Sequence, residues 1–264
     1  MARYHIMKKL FPFIAVLLLS AGIHAQKVVF TDAAQFPVYG KISEKTKTRY
    51  ERLPAHLEGV SRKDVWRLGR KSAGLYIRFR SNSTSIHAKW QSLYNLYALV
   101  DGEWKAVAPG RPTTKGVNQH AIIRNMAPQD REYMLYLSLY DGVTSLEIGV
   151  DEGAYIEQPA VASPSQEKPI VMYGTSILQG GCASRPGMAY TNIIGRRFNR
   201  EVFNLGFSGN ARLDLEIAEL MATVKDPGVF ILDYVPNSTE ERIREAGETF
   251  FRILRKAHPH VPVI

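Results

Sequence analysis

PIVMYGTSILQGG, residues 169–181, runs from a short apolar segment into a turn of glycines and small polar residues. That junction decides how the C-terminal part of the chain is read. A brief apolar run without polar alternation is the signature of a strand buried on both faces, as in a parallel sheet covered by helices. Ser176 stands where the strand gives way to a turn or helix, so its hydroxyl and backbone N–H can both project past the strand's carboxyl end. Open α/β sheets bind ligands at that end, and a serine so placed suits nucleophilic acyl chemistry.

Toward the C-terminus the unit recurs. Ile193, Ile194 and Phe198 predict a helix over Met188–Phe198; EVFNLG (201–206) is the next strand, GFSGN (206–210) its loop, and a helix follows from about Leu213 to Thr223. GVFILDYV (228–235) is a third strand, ending in the loop DYVPN (233–237). Ser238 with Glu241 predicts a capping box for a last helix carrying Ile243, Ala246, Phe250, Ile253, Leu254 and Ala257 at helical spacing. VPVI (261–264) begins a fourth strand. Residues 170–264 therefore predict an α/β three-layer sandwich around a parallel sheet.

Toward the N-terminus, the proline- and serine-bearing stretch 159–169 reads as a linker. Before it, GLYIRFR (74–80), SIHAKW (85–90), NLYALV (95–100), YMLYLSLY (133–140) and SLEIGV (145–150) are strand-like, punctuated by Asp101-Gly102 and Asp141-Gly142. Residues 26–158 thus predict an all-β sandwich or jelly-roll-like domain, and a length of 264 residues accommodates two domains. Trp90, Tyr94, Tyr97 and Trp104 offer either a sugar-stacking face or, as aromatics in strands usually do, core and cross-strand pairs. Residues 1–25 combine basic Arg3, Lys8 and Lys9 with the apolar run Leu10–Leu19 and a small-residue site at Ile23-His24-Ala25. This describes a cleavable signal peptide, its apolar run shorter than the ~20 residues a membrane span needs. Export to the periplasm or beyond is expected, with no integral span after cleavage.

The formal charge of +9 falls to +6 once Arg3, Lys8 and Lys9 leave, and the remaining basic residues are scattered among acids. A nucleic-acid footprint would need a clustered basic face. Cys182 is the single cysteine, which excludes an intrachain disulfide and a cysteine-rich zinc site. No metal and no organic cofactor is implied. Five residues separate Gly174 from Gly180 and no lysine follows, so the phosphate-binding loop is excluded; the dinucleotide glycine fingerprint is absent, and Leu178 occupies the last glycine of a nucleophile elbow.

The three strand-end blocks together resemble the SGNH (GDSL-type) hydrolases. GTS (174–176) resembles the family's Gly-Asp-Ser block with Thr175 in place of aspartate, NLGFSGN (204–210) its glycine block, and DYVPN (233–237) its asparagine block with altered flanks. SRPGMAY (184–190) and the strand-rich first half resemble a bacterial exported subgroup with an N-terminal GxDLY-type β domain, whose signature NLYALVDGEW (95–104) matches in part. The resemblance implies that Ser176 is the nucleophile and that the N–H groups of Ser176 and Gly209, with the Asn237 amide, form the oxyanion hole. Individually, Ser176 also suits a helix cap, Gly209 a turn, and Asn237 a turn or cap beside Pro236. Arg185 is a candidate substrate contact or a surface ion pair.

The implied activity is that of an exported serine esterase or deacetylase, acting on a small-molecule or glycan ester and most readily on an acylated carbohydrate. The competing reading is a non-catalytic glycan-binding or envelope protein derived from such an esterase. The family's base is a histidine preceded by an aspartate three residues earlier, and that Asp-x-x-His block does not occur in this sequence. His258 and His260 close the last helix at the sheet's amino end. The expectation is a shortened or degenerate hydrolase with weak turnover.

Overall fold

A computed structural model describes residues 27–264; the expected signal peptide lies outside them. The chain first forms β1 (Val28–Asp32), β2 (Val38–Tyr39), helix α1 (Lys63–Gly69), β3 (Tyr76–Ser81), β4 (Ile86–Trp90), β5 (Tyr94–Val100), β6 (Glu103–Gly110), β7 (Asn118–Ile123), β8 (Arg131–Tyr136), β9 (Leu146–Asp151) and β10 (Ile156–Glu157). These strands make two antiparallel sheets, ordered β1-β9-β4-β7 and β10-β3-β8-β5-β6, with β2 beside β3. Every second residue of each sheet enters one shared core: Ile77, Phe79, Leu96 and Leu135 from one, Ile86, Ala88, Ile148 and Val150 from the other. The β sandwich is the one the alternation predicts. Trp90 meets Tyr94 edge-on at 4.9 Å, both buried, and Tyr97 packs on Tyr136 while Trp104 lies under the Arg78 guanidinium. Trp90, Tyr94 and Tyr97 are thus buried packing residues, and of the four only Trp104 is half-buried.

The remainder forms β11 (Gln166–Gly174), the single-turn helix α2 (Ser176–Gln179), α3 (Tyr190–Phe198), β12 (Arg200–Gly206), α4 (Leu215–Ala222), β13 (Val229–Asp233) and α5 (Glu240–Ala257). The sheet is parallel in the order β12-β11-β13. Residues 262–264 extend it beside β13, Phe230 donating to the Pro262 carbonyl and Ile264 donating to the Phe230 carbonyl, each at 2.9 Å. β11 is apolar throughout its second half because both its faces are covered. Val171 and Tyr173 pack with Ile217, Met221, Phe250 and Leu254 of α4 and α5, whereas Ile170 and Met172 pack with Tyr190 and Ile194 of α3.

Local details depart from the sequence reading. Pro186–Met188 forms a separate 3-10 turn, so α3 begins at Tyr190 rather than Met188. The cap of α5 is Thr239, which accepts from the Arg242 N–H at 3.2 Å; Ser238 instead donates its hydroxyl to the Ala211 carbonyl. The predicted capping box does not form: Ser238 is engaged by the neighbouring loop, and Thr239 caps the helix alone because Arg242, not an acid or amide, stands three residues on. β11 starts at Gln166, inside the stretch read as linker, where the Gln166 N–H donates to the Asn199 carbonyl.

Packing also crosses the two halves. Leu53, Leu57, Val65 and Leu68, early in the chain, belong to the core that covers the parallel sheet. Arg52 is buried beside them, donating to the carbonyls of Leu68, Lys71, Asn204 and Gly206 and lying over the Phe207 ring. With only carbonyl acceptors around it, burial lowers the Arg52 guanidinium to about 9.

Candidate active site

The parallel register puts three strand ends at one level: Gly174 of β11 pairs with Gly206 of β12 and with Asp233 of β13. The residues just beyond are the three predicted blocks. Each pair of loops is joined by a hydrogen bond. The Phe207 N–H donates to the Gly174 carbonyl at 2.8 Å, the Thr175 hydroxyl donates to Asp233 Oδ2 at 3.1 Å, and the Ala211 N–H reaches Asn237 Oδ1 at 3.5 Å.

Thr175, extended, is the N-cap of α2, which makes Ser176 the first helical residue. The N–H groups of a first turn have no intrahelical acceptor, and the Ser176 N–H and hydroxyl make no hydrogen bond among the described residues. α2 can lie close across β12 because residue 206 is glycine: a Cβ there would sit 2.2 Å from the Gln179 nitrogen. Gly209 is glycine for a different reason, its φ of +70° in open space. Its N–H is likewise unbonded among the described residues. Asn237 ends a 3-10 turn at Val235–Asn237. Its oxygen faces the Ala211 N–H, which leaves its Nδ2 amide as a donor without a partner among the described residues. The structure thus brings Ser176, Gly209 and Asn237 to adjacent strand ends with three unspent donors.

Four supporting residues escape sequence reading. Gln179, fully buried, donates to the Leu139 carbonyl and accepts from the Ser208 N–H, both at 3.0 Å, so it ties the Ser176 turn to the β half and to the residue before Gly209. Tyr140 donates its hydroxyl to the Ser176 carbonyl at 3.0 Å. Arg62 clamps the second loop, with two bonds to Asp214 at 2.6 and 3.0 Å and one to the Asn210 carbonyl at 2.6 Å. Arg52 holds the end of β12 through the Gly206 carbonyl. The arginines lie about 150 positions from their partners in sequence. Only Gln179, a long polar side chain inside a turn of glycines, left a local sign.

Arg185 is half-buried beside Pro186, and its guanidinium hydrogen-bonds only the Ser184 hydroxyl among the described residues, at 3.4 Å. It forms no ion pair among the described residues. None of the described histidines contacts the Ser176 hydroxyl. His87 bonds Ser85, His120 packs on Trp90, and His56 and His260 are exposed. His258 bonds the Ala222 carbonyl beside Phe230, at the amino end of the sheet and opposite the loops.

Residues 167–264 match the GDSL-like lipase/acylhydrolase family, and residues 28–95 and 92–156 match the GxDLY N-terminus of SGNH-hydrolase-type esterases. Among solved structures, the chain is 35% identical to a Bacteroides ovatus protein classed as a GDSL-like lipase, with a TM-score of 0.84 over 90% of this chain and 73% of that one. It shares its fold with a salicylyl-acyltransferase from a tetracycline biosynthetic pathway, at 16% identity and a TM-score of 0.69 over 91% and 72% of the two chains. An acetyl xylan esterase from the rumen bacterium Butyrivibrio proteoclasticus has 11% identity and a TM-score of 0.54 over 89% and 80%. No curated protein sequence matches the chain.

Proposed function

Because the chain belongs to the GDSL-like lipase/acylhydrolase family, in the form with a GxDLY N-terminal half, we propose that it is built for acyl transfer from an ester to Ser176. The observation that carries this reading is the set of three unspent donors, the Ser176 and Gly209 N–H groups and Asn237 Nδ2, at the ends of adjacent parallel strands. The Ser176 oxygen attacks the ester carbonyl, and the donors stabilise the oxyanion as it forms. Collapse breaks the bond to the alcohol, which leaves carrying a proton; water then releases the acid and restores the serine.

The serine proton needs an acceptor, and no described histidine is placed to take it. These 264 residues alone are therefore expected to acylate slowly, since loss of the base can cost on the order of 10⁶ in turnover. An acylated carbohydrate is the substrate we favour, supported by carbohydrate esterases among proteins of the same fold. The apolar leader supports export to the periplasm or outside the cell.

A fluorophosphonate probe tests the proposal. Slow labelling is expected at Ser176, faster when imidazole is supplied as an external base and absent in Ser176→Ala. Labelling elsewhere, or unchanged in that variant, refutes the serine assignment. Acetyl-ester hydrolysis by the unaided chain at ordinary enzymatic rates refutes the slow-acylation reading.

A further inference from the structure

We propose that the cleft between Tyr140 and Arg185 is a subsite for one uncharged sugar ring, the alcohol part of the ester, so that the β half supplies specificity to a serine held by the α/β half. The inference rests on the acyl-transfer reading above and names the ligand of a site that reading leaves open. The cleft has a volume of about 130 Å³. One wall is Tyr140 and Asp141 of the β half; the other is Gly180, Cys182, Arg185 and Pro186. Gly180 caps α2, one helical turn from Ser176 and so about 5.4 Å along the axis. The Tyr140 hydroxyl bonded to the Ser176 carbonyl joins the first wall to the nucleophile turn.

Size and chemistry select the occupant. Pockets for drug-sized ligands span ~300–1,000 Å³, so this cleft suits a single ring rather than an oligosaccharide. Its lining is amphipathic. The exposed Tyr140, with Leu93 and Pro186, offers apolar surface to the C–H face of a pyranose. Arg185 brings a cationic donor free of any acid among the described residues. Asp141 uses Oδ2 on the Ser92 and Ser138 hydroxyls, and its Oδ1 accepts nothing among the described residues. One unspent positive donor and one unspent negative acceptor cancel in charge, so a ligand anion attracted by Arg185 is repelled by Asp141. A hydroxyl group both donates and accepts, and two hydroxyls on one ring answer both groups without a net charge.

Cys182 makes the test site-specific, because it is the chain's single cysteine and is exposed on the cleft wall. Alkylation of Cys182 by iodoacetamide is followed with and without methyl β-xyloside or methyl β-glucoside. At about ten times its Kd, a ligand covering the thiol slows alkylation about tenfold by mass action. The same protection is expected in Ser176→Ala, and Arg185→Gln and Asp141→Asn, checked for folding by circular dichroism, are each expected to need about tenfold more sugar. Protection by glycerol at equal concentration, by methyl glucuronide alone, or by none of these overturns the subsite, as does protection undiminished in both variants. Because protection is read in Ser176→Ala, its failure is separable from failure of the serine reading, which fluorophosphonate labelling judges.

Discussion

Asn237 and Gln179 show how two amides divide the work around Ser176. The Nδ2 of Asn237 has no structural partner among the described residues and its oxygen makes one long contact, so its amide contributes little to the fold. Asn237→Ala is therefore expected to lower the rate of Ser176 acylation by about 10²–10³ with little change in Tm, measured as probe-labelling rate beside a thermal melt. Gln179 is the opposite case. Gln179→Leu strands the buried Leu139 carbonyl, at a cost of about 1–3 kcal/mol for an unsatisfied group, and frees the half-buried Ser208 N–H. It is expected to lower Tm and, by freeing the loop that carries Gly209, to slow labelling as well. Unchanged labelling in a folded Gln179→Leu chain would show that the loop needs no such strut.

At the scale of elements, the pairing of β4 with β9 gathers Ser85, His87 and Asp151, the residue types of a catalytic triad. Their connection is wrong for catalysis. Asp151 accepts from the hydroxyls of Ser83, Thr84 and Ser85, while His87 bonds the Ser85 oxygen and no acid orients the ring. Burial works to raise the Asp151 carboxyl, but its hydrogen bonds from Ser85, Thr84 and Ser83 outweigh that and hold it below the usual range. Burial, helped by the charge of Arg124, pushes the His87 imidazole below its ordinary value. The unfolded chain thus binds the proton more readily than the folded one. The stability tied to neutral His87 is complete above the ordinary imidazole value of about 6.5 and is lost as pH falls from there toward the lowered value. Melts between pH 7.5 and 5 are expected to show a shallower loss of Tm in His87→Gln than in the parent; equal slopes would remove His87 as the cause.

Across the whole molecule, the segment around α1 joins the two halves into one packed body. Leu53, Val65 and Leu68 cover the parallel sheet, and Arg52 reaches the end of β12. All three tryptophans, Trp66, Trp90 and Trp104, precede the α/β half, which carries α2 to α5. Tryptophan fluorescence and helical circular dichroism are accordingly expected to report one coincident thermal transition. Leu68→Ala should shift both probes together, by the about 2–5 kcal/mol typical of a buried leucine truncated to alanine. Separate transitions would mean that the halves fold independently.

Much of this was legible in residues 169–181 and their two echoes. A run buried on both faces must be apolar throughout, and a turn that brings backbone against backbone or takes a positive φ selects glycine, so strands and loops announce themselves locally through Ile170 to Tyr173, Gly206 and Gly209. Alternation did the same for the β sandwich, where one face of each strand is core. Sequence by itself determined the two fold classes, the order of strands and helices in the α/β half and the three blocks at the strand ends, whereas α1 and the strands β1, β2, β6, β7 and β10 emerge only from the folded chain. Tertiary structure alone decided which distant side chains hold those blocks in place: Gln179 on Leu139 and Ser208, Tyr140 on Ser176, Arg62 on Asp214, and Arg52 on Gly206. Periodicity reports burial of a residue against its own element's neighbours, whereas a hydrogen bond spanning some 150 residues leaves no periodic trace. The cleft between Tyr140 and Arg185 has the same origin, since its walls come from two halves that meet only in the folded chain.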